Sequence, residues 1–376
     1  MTSKGRLTRA AIHERLEAHV LELRTRLGGL PLPEEAEQIW KEIWHQEAHH
    51  STALEGNTLI LKQVQELLQD NKAVGDKELK EYMEVTGYAK AAQWVYQEAH
   101  RPRDGSTEPL LTVQEVRHVH HLVMSDVWAH APHPNATPAE SPGNWREHDI
   151  HPFPSGMKPP TFPLVPAGVD AWVKLAKTVG TGDLPIAEQV ATVHAAFERL
   201  HPFIDGNGRA GRLLANLLLI RLGYPPAIIY KRQRAQYLKA LSKADKGDTG
   251  PVGEILARAI LDNLMRFVLP GVAGPVKLLP LEALVTKEHS AVSLRAAARR
   301  GALTARKSAN GDWLSSKRWV EEYARDRWST LRRPRKVMSA ASGLQSMKRH
   351  SKAKASAAKA RKAMERGARS AVPKVS

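Results

Sequence analysis

The 376-residue chain contains no cysteine. That excludes disulfide staples, thiolate metal sites and a cysteine nucleophile, and it fits a protein of a reducing cytoplasm. No apolar run reaches membrane-spanning length, so no membrane partner is expected. Residues 1–12, MTSKGRLTRAAI, lack the apolar segment of a secretory signal. Acidic residues are nearly missing from one end. From Leu331 onward fourteen Lys and Arg face the single Glu365, so this tail carries +13 of the formal net charge of +17 and the remainder only +4. The basic character belongs to an appendage, and the folded part is read separately.

What is present is mostly helical periodicity. Amphipathic patterns cover 6–27, 34–50, 60–70, 77–99 and 112–127, and Ile39, Trp40, Ile43 and Trp44 share one face of the second. Residues 131–168 are rich in Pro and Gly, with extended pieces near 147–152 and 160–165 that predict a β-hairpin inside a long connection. Helices resume at 168–178, 185–200, from the 201–212 motif to about Leu222, 231–243 and 251–268. The predicted organisation is an N-terminal helical region at 1–110, a core at 111–268, a linker at 269–279, a small module at 280–328 and a basic tail at 329–376.

One stretch carries chemistry: HPFIDGNGRAGR, 201–212, followed at once by the apolar LLANLLLIRLG. His201 falls at a helix C-terminus, where the dipole favours an imidazolium and so helps a base that must hold a proton. Gly206 and Gly208 let backbone N–H groups converge where the next helix starts, an anion hole. Arg209 and Arg212, three apart on its first turn, suit a polyphosphate. Asp205 among phosphates calls for a bridging Mg²⁺, and Asn207 is placed to donate to a phosphoryl oxygen. The GxxxxGK[ST] loop is missing.

This stretch resembles the Fic-family signature HPFx[DE]GNGRxxR at every specified position. GNWREHDI, 143–150, is similar to the family's flap, and RAQYLKALSKADKGD, 234–248, looks like the helix and turn after its active loop. The resemblance spans roughly residues 40–265. It implies an all-α Fic core that transfers AMP from ATP to a Ser, Thr or Tyr hydroxyl of a target protein, releasing pyrophosphate. Carried over, His201 deprotonates the hydroxyl and Asp205 binds Mg²⁺. The backbone at Gly206 and Gly208, with Asn207, holds the α-phosphate region; Arg209 holds the outer phosphates and Arg212 the γ-phosphate. A phosphorylating branch has lysine in place of the GNGR pattern, so retained Gly208 and Arg209 favour nucleotidyl transfer.

STALEGN, 51–57, resembles the family's inhibitory motif [ST]xxxE[GN]. Ser51 and Glu55 lie one helical turn apart, and Gly56 can end the helix in a left-handed conformation. Glu55 would compete with the γ-phosphate for Arg212, in cis or between the protomers of a homodimer. Removing Glu55 would then raise modification of the target and of the chain itself. The same carboxylate could position water for deAMPylation, and the residues do not separate the two directions. Gly143 and Arg146, with extended segments on either side, fit a flap that holds target backbone by strand addition and fit a structural hairpin equally well.

The histidines at 118, 120, 121, 130 and 133 lack an HExxH pattern and read as a solvated or partly buried helix surface. His194 reads as a packed core residue. Residues 280–328 read helix, helix, hairpin, helix, with Asn310–Gly311 as the hairpin turn. They resemble the winged helix-turn-helix of excisionase- and MerR-like modules, with Arg295, Arg299 and Arg300 as candidates to contact DNA; a scaffold that recruits a protein fits nearly as well. The Lys/Arg/Ala-rich tail cannot form a core and suits polyanion binding. The expected fold class is mainly α, a Fic-type core with a β-hairpin flap, a winged-helix-like module and a disordered tail. Its expected activity is autoinhibited adenylyl transfer. The rivals are a DNA-binding regulator whose core senses nucleotide, and a growth-arresting toxin restrained by Glu55.

Overall fold

The computed structural model describes residues 7–101, 109–151, 156–273, 278–286, 288–307 and 311–332. The chain forms two compact units, Met1–Val320 and Glu321–Ser376. Of the second, the described part is the end of a helix. The predicted disordered tail lies outside the described residues from 333 onward.

The first unit is mainly helical. Its helices are α1 (Arg9–Arg26), α2 (Glu37–Leu54), α3 (Leu61–Asp70), α4 (Leu79–Ala99), α5 (Val113–His130), α6 (Val165–Ala176), α7 (Ile186–Leu200), α8 (Asn207–Arg221), α9 (Arg234–Ala244) and α10 (Gly250–Asn263). Helix α8 is the axis. Every residue from Arg209 to Ile220 is buried, as a helix apolar on all sides requires, and α2, α4, α5 and α7 pack around it. Helices α4 and α5 approach closely because Gly87 has no side chain; a Cβ there would sit 2.6 Å from the carbonyl oxygen of Val123. The cap of α5 is a Thr112–Glu115 capping box, with the Thr112 hydroxyl accepting from Glu115 N–H.

Helix α2 buries Trp40 and Ile43 as its period predicts, and it also buries Glu47. That carboxyl accepts hydrogen bonds from the hydroxyls of Tyr88 (2.8 Å) and Tyr96 and from the amide of Asn216 (2.7 Å). Burial pushes its pKa up, and the three donors oppose the rise. The network ties α2 to α4 and α8, so the helix that ends at Leu54 is rooted in the core.

The connection 131–164 departs from expectation. Among its described residues there is no strand, and residues 152–155 lie outside the described set. The piece read as extended at 160–165 is a 3₁₀ turn, Phe162–Leu164, running into α6. Pro163 and Pro166 cause this, because each occupies an early helical position where its missing N–H costs nothing.

Residues 269–273, expected to begin a linker, continue the α10 helix as α11 (Leu269–Ala273) after a π-helical turn at Leu264–Val268. Pro270 donates no hydrogen bond, and the wider turn absorbs the defect, with Leu269 N–H reaching Leu264 O. The strands lie further on: β1 (Leu278–Pro280), β2 (Arg306–Lys307) and β3 (Trp313–Ser316) form an antiparallel sheet in the order β1-β3-β2. The predicted hairpin appears as β2–β3, with Asn310 of its turn outside the described residues. The first expected helix of this region is only a 3₁₀ turn, Leu281–Leu284. Helices α12 (Ala291–Arg299) and α13 (Lys317–Arg332) complete it, and Gly301 ends α12 with φ +67°.

Candidate active site

The turn between α7 and α8 builds the site. His201 follows α7 in the left-handed region (φ 47°, ψ 61°), a strained setting for a residue with a Cβ. Two groups hold it there. Its N–H donates to Phe197 O, and its carbonyl accepts from Nε of Arg146 at 2.9 Å. Gly206 (φ +76°) then caps α8; a Cβ there would lie 2.6 Å from Sδ of Met124, so only glycine fits. Asn207 was expected to donate to a phosphoryl oxygen. Its side chain is spent otherwise: Oδ1 accepts from Phe203 N–H at 2.9 Å and Nδ2 donates to Phe203 O at 2.8 Å. What Asn207 offers an anion is its backbone N–H at the helix start.

The imidazole of His201 has a fixed tautomer. Nδ1 lies 2.8 Å from Glu198 O, a carbonyl that can only accept, so Nδ1 carries the proton and Nε2 the lone pair. Burial pushes its pKa below the usual 6.5; the Glu198 carbonyl, Glu55 and Asp205 pull it up and Arg146 pushes it down. The expected stabilisation of an imidazolium by the helix dipole is therefore outweighed. A terminus contributes roughly 0.3–1 kcal/mol, and burial, the largest influence on this ring, acts against it. The resting group is a neutral base.

Beyond the imidazole lies a cavity of about 330 Å³, lined by His201, the 204–209 loop, Arg212 and side chains of α4, α7 and α9. Arg212 is 6% exposed, and its guanidinium is bound on the α2 side. Nε donates to Ser51 Oγ (2.7 Å), and Nη2 donates to Ser51 O (3.0 Å) and Glu55 Oε1 (2.7 Å). Burial works against both charges and the pair wins: Glu55 is held below the usual carboxylate range and Arg212 above the usual guanidinium value. Gly56 (φ +113°) turns the chain after Glu55. Gly208 is what makes room, because a Cβ on it would come within 2.5 Å of Glu55 Oε1. The Glu55 carboxylate thus rests on the first turn of α8, where an anion belongs.

Arg209 pairs with Asp205 (3.2 Å) and with Glu84 of α4 (3.3 Å). Burial pushes the Asp205 pKa up, but Arg209 and the Gly206 N–H outweigh it and keep the carboxylate ionised. The expected phosphate groups, Gly206, Gly208, Arg209 and Arg212, do converge with His201 and Asp205 on this one cavity.

Arg146 has a structural place. The sequence fitted a target-holding flap and a structural hairpin equally, and the residue is 2% exposed, on the structural side. Its guanidinium donates to the carbonyls of His201, His148 (3.0 Å) and Pro160 (2.5 Å). It staples the connection to the active loop. Gly143 (φ +92°) has its N–H directed to Nδ1 of His120 at 2.9 Å.

Sequence reading missed His120. It is 1% exposed and stacks on Phe203 at 3.5 Å, and Nε2 donates to Asp205 O at 2.9 Å. Burial holds its pKa at about 3, so it is a neutral bridge between the connection and the loop. Its place on the face of Val116, Val119, Val123 and Val127 was the available signal. His118 and His121 do sit at the helix surface, and among the described residues no group of three His, Cys, Asp or Glu could hold a metal. His194 is buried as expected, with Nδ1 donating to Gly211 O and Nε2 accepting from Tyr237 Oη at 2.6 Å. Glu84, Glu198 and Lys80 also line the cavity and carried no motif, and Arg234, which opens the 234–248 stretch, lines it too. Far along the chain, Arg295, Arg299 and Arg300 share a surface hollow on α12 with Val292; Nε of Arg295 donates to Glu282 Oε1 at 3.0 Å.

Among the described residues no helix is long and apolar enough to cross a membrane. Residues 110–219 match the Fic/DOC family. The chain is 30% identical over 220 residues to a protein adenylyltransferase Fic of Drosophila sechellia, covering 58% of this chain and 40% of that protein. The chain therefore spans well under half the length of the curated relatives it matches. Its fold is similar to a Fic domain containing signaling protein from Bacteroides thetaiotaomicron (TM-score 0.57, 23% identity, 70% of this chain and 98% of that one). It is also similar to Fic-1, residues 134–508, from C. elegans (TM-score 0.56, 25% identity, 69% and 72%). The helical core has the fold of Fic proteins, and the segment that carries the active loop matches the Fic/DOC family.

Proposed function

We propose that the protein transfers AMP from ATP to a Ser, Thr or Tyr hydroxyl of a protein substrate, releasing pyrophosphate, and that Glu55 holds this activity in check. One observation carries the reading: a base of fixed tautomer, His201, shares a cavity with a buried arginine, Arg212, whose anion position is filled by the chain's own Glu55. Relatives named protein adenylyltransferase support the reaction class.

With Glu55 displaced, the outer phosphates take its place on Arg212 and the first turn of α8. Arg209 and the N–H groups from Gly206 to Gly208 hold the remaining phosphate oxygens. The acceptor hydroxyl gives its proton to Nε2 of His201 as its oxygen attacks the α-phosphorus. The bond from that phosphorus to the bridging oxygen breaks, and pyrophosphate leaves with the electron pair. Arg146 and His120 act by keeping His201 and Asp205 in place.

Magnesium fits at Asp205, whose ionised carboxylate is 37% exposed. A magnesium ion takes one or two carboxylates and completes its shell with phosphate oxygens and water, so it needs no protein cage. When bound it would neutralise charge on the phosphates.

In this reading residues 1–110 supply the inhibitory helix and 111–268 the catalytic core. The exposed cationic face of α12, with Arg299 and Arg300 beside Val292 (72% exposed), favours a second role in binding DNA. The test of transfer is incubation with labelled ATP and a protein extract, using wild type, Glu55→Gly and Glu55→Gly/His201→Ala. Labelled protein with Glu55→Gly and none after His201→Ala is expected. Nucleotide binding with no transfer in any of the three would replace the enzyme by a nucleotide sensor.

A further inference from the structure

One buried acid of the cavity has no part in the mechanism above. Glu198 sits on α7, three residues before His201, with its side chain 12% exposed. Its backbone carbonyl fixes the His201 ring, but its side chain makes no comparable bond. Oε1 is buried without a hydrogen-bond partner among the described residues. Its neighbours explain why. Nε2 of His194, 3.9 Å away, is taken by Tyr237 Oη, and Nε and Nη2 of Arg212 are taken by Ser51 and Glu55. The carboxyl lies against α8 at Gly211, where a Cβ would collide with Oε1. The unsatisfied oxygen is packed against α8, while the residue lines the polar cavity beside an arginine that another chain segment occupies, so a small turn of the carboxyl would meet a group bound there.

We propose that the Glu198 side chain is a positioning residue for the outer phosphates of the nucleotide, a hydrogen-bond partner set beside Arg212. The inference rests on the adenylyl-transfer reading for the identity of the ligand. A charged carboxylate would repel phosphate, so the protonation state decides whether the contact works. Burial pushes the carboxyl up to about 8, with Glu55 adding to the rise and Arg212 opposing it. At neutral pH Glu198 is therefore a carboxylic acid with an O–H to donate, facing Arg212 of α8, His194 of its own helix, Tyr237 of α9 and Glu55 after α2. Together Arg212 and Glu198 offer a phosphate one cation and one neutral donor. AMP, which ends at the α-phosphate, gains nothing from either.

Equilibrium binding tests this. Glu55→Gly protein, alone and with Glu198→Gln or Glu198→Ala, is titrated with AMP and with an ATP analogue that has a methylene bridge between the α and β phosphorus atoms. At pH 7 Glu198→Ala should weaken the analogue about tenfold, the worth of one hydrogen bond to a charged group, and leave AMP unchanged. Glu198→Gln keeps a neutral donor of the same shape and should restore analogue binding. Analogue binding to the Glu198 protein should also weaken above neutrality as the carboxyl ionises, and the Glu198→Gln curve should stay flat. Equal loss for AMP and the analogue, no loss with Glu198→Ala, or failure of Glu198→Gln to rescue would overturn the proposal. Binding is read apart from chemistry. If Glu55→Gly binds the analogue with these dependences but transfers no AMP, the phosphate role stands and the transfer reading falls.

Discussion

Nη2 of Arg212 and Oε1 of Glu55 are 2.7 Å apart, and Nε of the same guanidinium lies 2.7 Å from Oγ of Ser51. Five donors in a rigid fork make an arginine a phosphate binder, and here one edge of the fork is already engaged by α2. Because Glu47 roots α2 in the core, withdrawal of the whole helix would break a buried network. The Glu55 side chain is 39% exposed and follows the last helical residue, so it can leave with little else moving.

Glu55→Gly should raise ATP affinity by at least about tenfold and raise AMP transfer with it, because the phosphates no longer displace a paired carboxylate. Ser51→Ala removes one hydrogen bond and leaves the ion pair, so its effect should be about two- to fivefold. Calorimetric ATP binding and labelled-AMP incorporation read the two. Equal ATP affinity in wild type and Glu55→Gly would mean that the pair is structural and inhibits nothing.

Arg146→Ala should cost both stability and activity. Three carbonyls lose their donor at once, and that of His201 belongs to a residue held at positive φ. A loss of about 3 kcal/mol is the scale for breaking a buried charged network. Urea unfolding measures the first and labelled-AMP incorporation by the Glu55→Gly form the second. Arg146→Ala with native stability and reduced affinity for the protein substrate alone would restore it to a target-contacting role.

Much of this was legible in the sequence. Helical periods placed α1 to α10, and the 201–212 motif gathered its residues by local geometry, since a C-cap, a glycine turn and a helix start lie within seven positions. The Ser51–Glu55 pair, 157 or more residues from Arg212, was read only by resemblance. Three things were hidden. Arg146 and Asn207 look like ligand binders because the pattern does not say that backbone carbonyls and amides will claim them first. His120 looks like a surface residue because its neighbours His118 and His121 are. The connection 131–164 looks extended because prolines favour both extended chain and helix starts, and only packing chooses.

His120 should make the fold sensitive to acid. Its folded pKa is about 3, below the usual 6.5, so in between the unfolded chain binds a proton that the native protein refuses. Stability then falls as pH drops from 6.5, by about 1.4 kcal/mol per unit for this group. Wild type should lose stability with acid more steeply than His120→Gln by that slope, although the variant is the less stable at pH 7.5. Denaturant midpoints from pH 7.5 to 4.5 give the comparison. Parallel curves would show that the imidazole protonates freely in the native state, which its stacking on Phe203 and its hydrogen bonds to Gly143 and Asp205 do not permit.

The last prediction concerns the base. Two influences act on His201 with opposite sign: the end of α7 favours the imidazolium, and burial favours the neutral ring. Burial wins, so the imidazole proposed as the proton acceptor is already deprotonated at neutral pH. In the Glu55→Gly form the balance moves further the same way, because one of the charges that raises the His201 pKa is gone. The kcat/KM for AMP transfer, which reports the nucleotide-free enzyme, should therefore be level through pH 7 and fall only below 6.5, where the base becomes protonated. A helix-dipole-dominated imidazole would instead lose activity from above pH 7 downward. An acid limb centred at or above pH 7 in the Glu55→Gly protein would therefore mean that desolvation does not govern this histidine once the Glu55 carboxylate has gone.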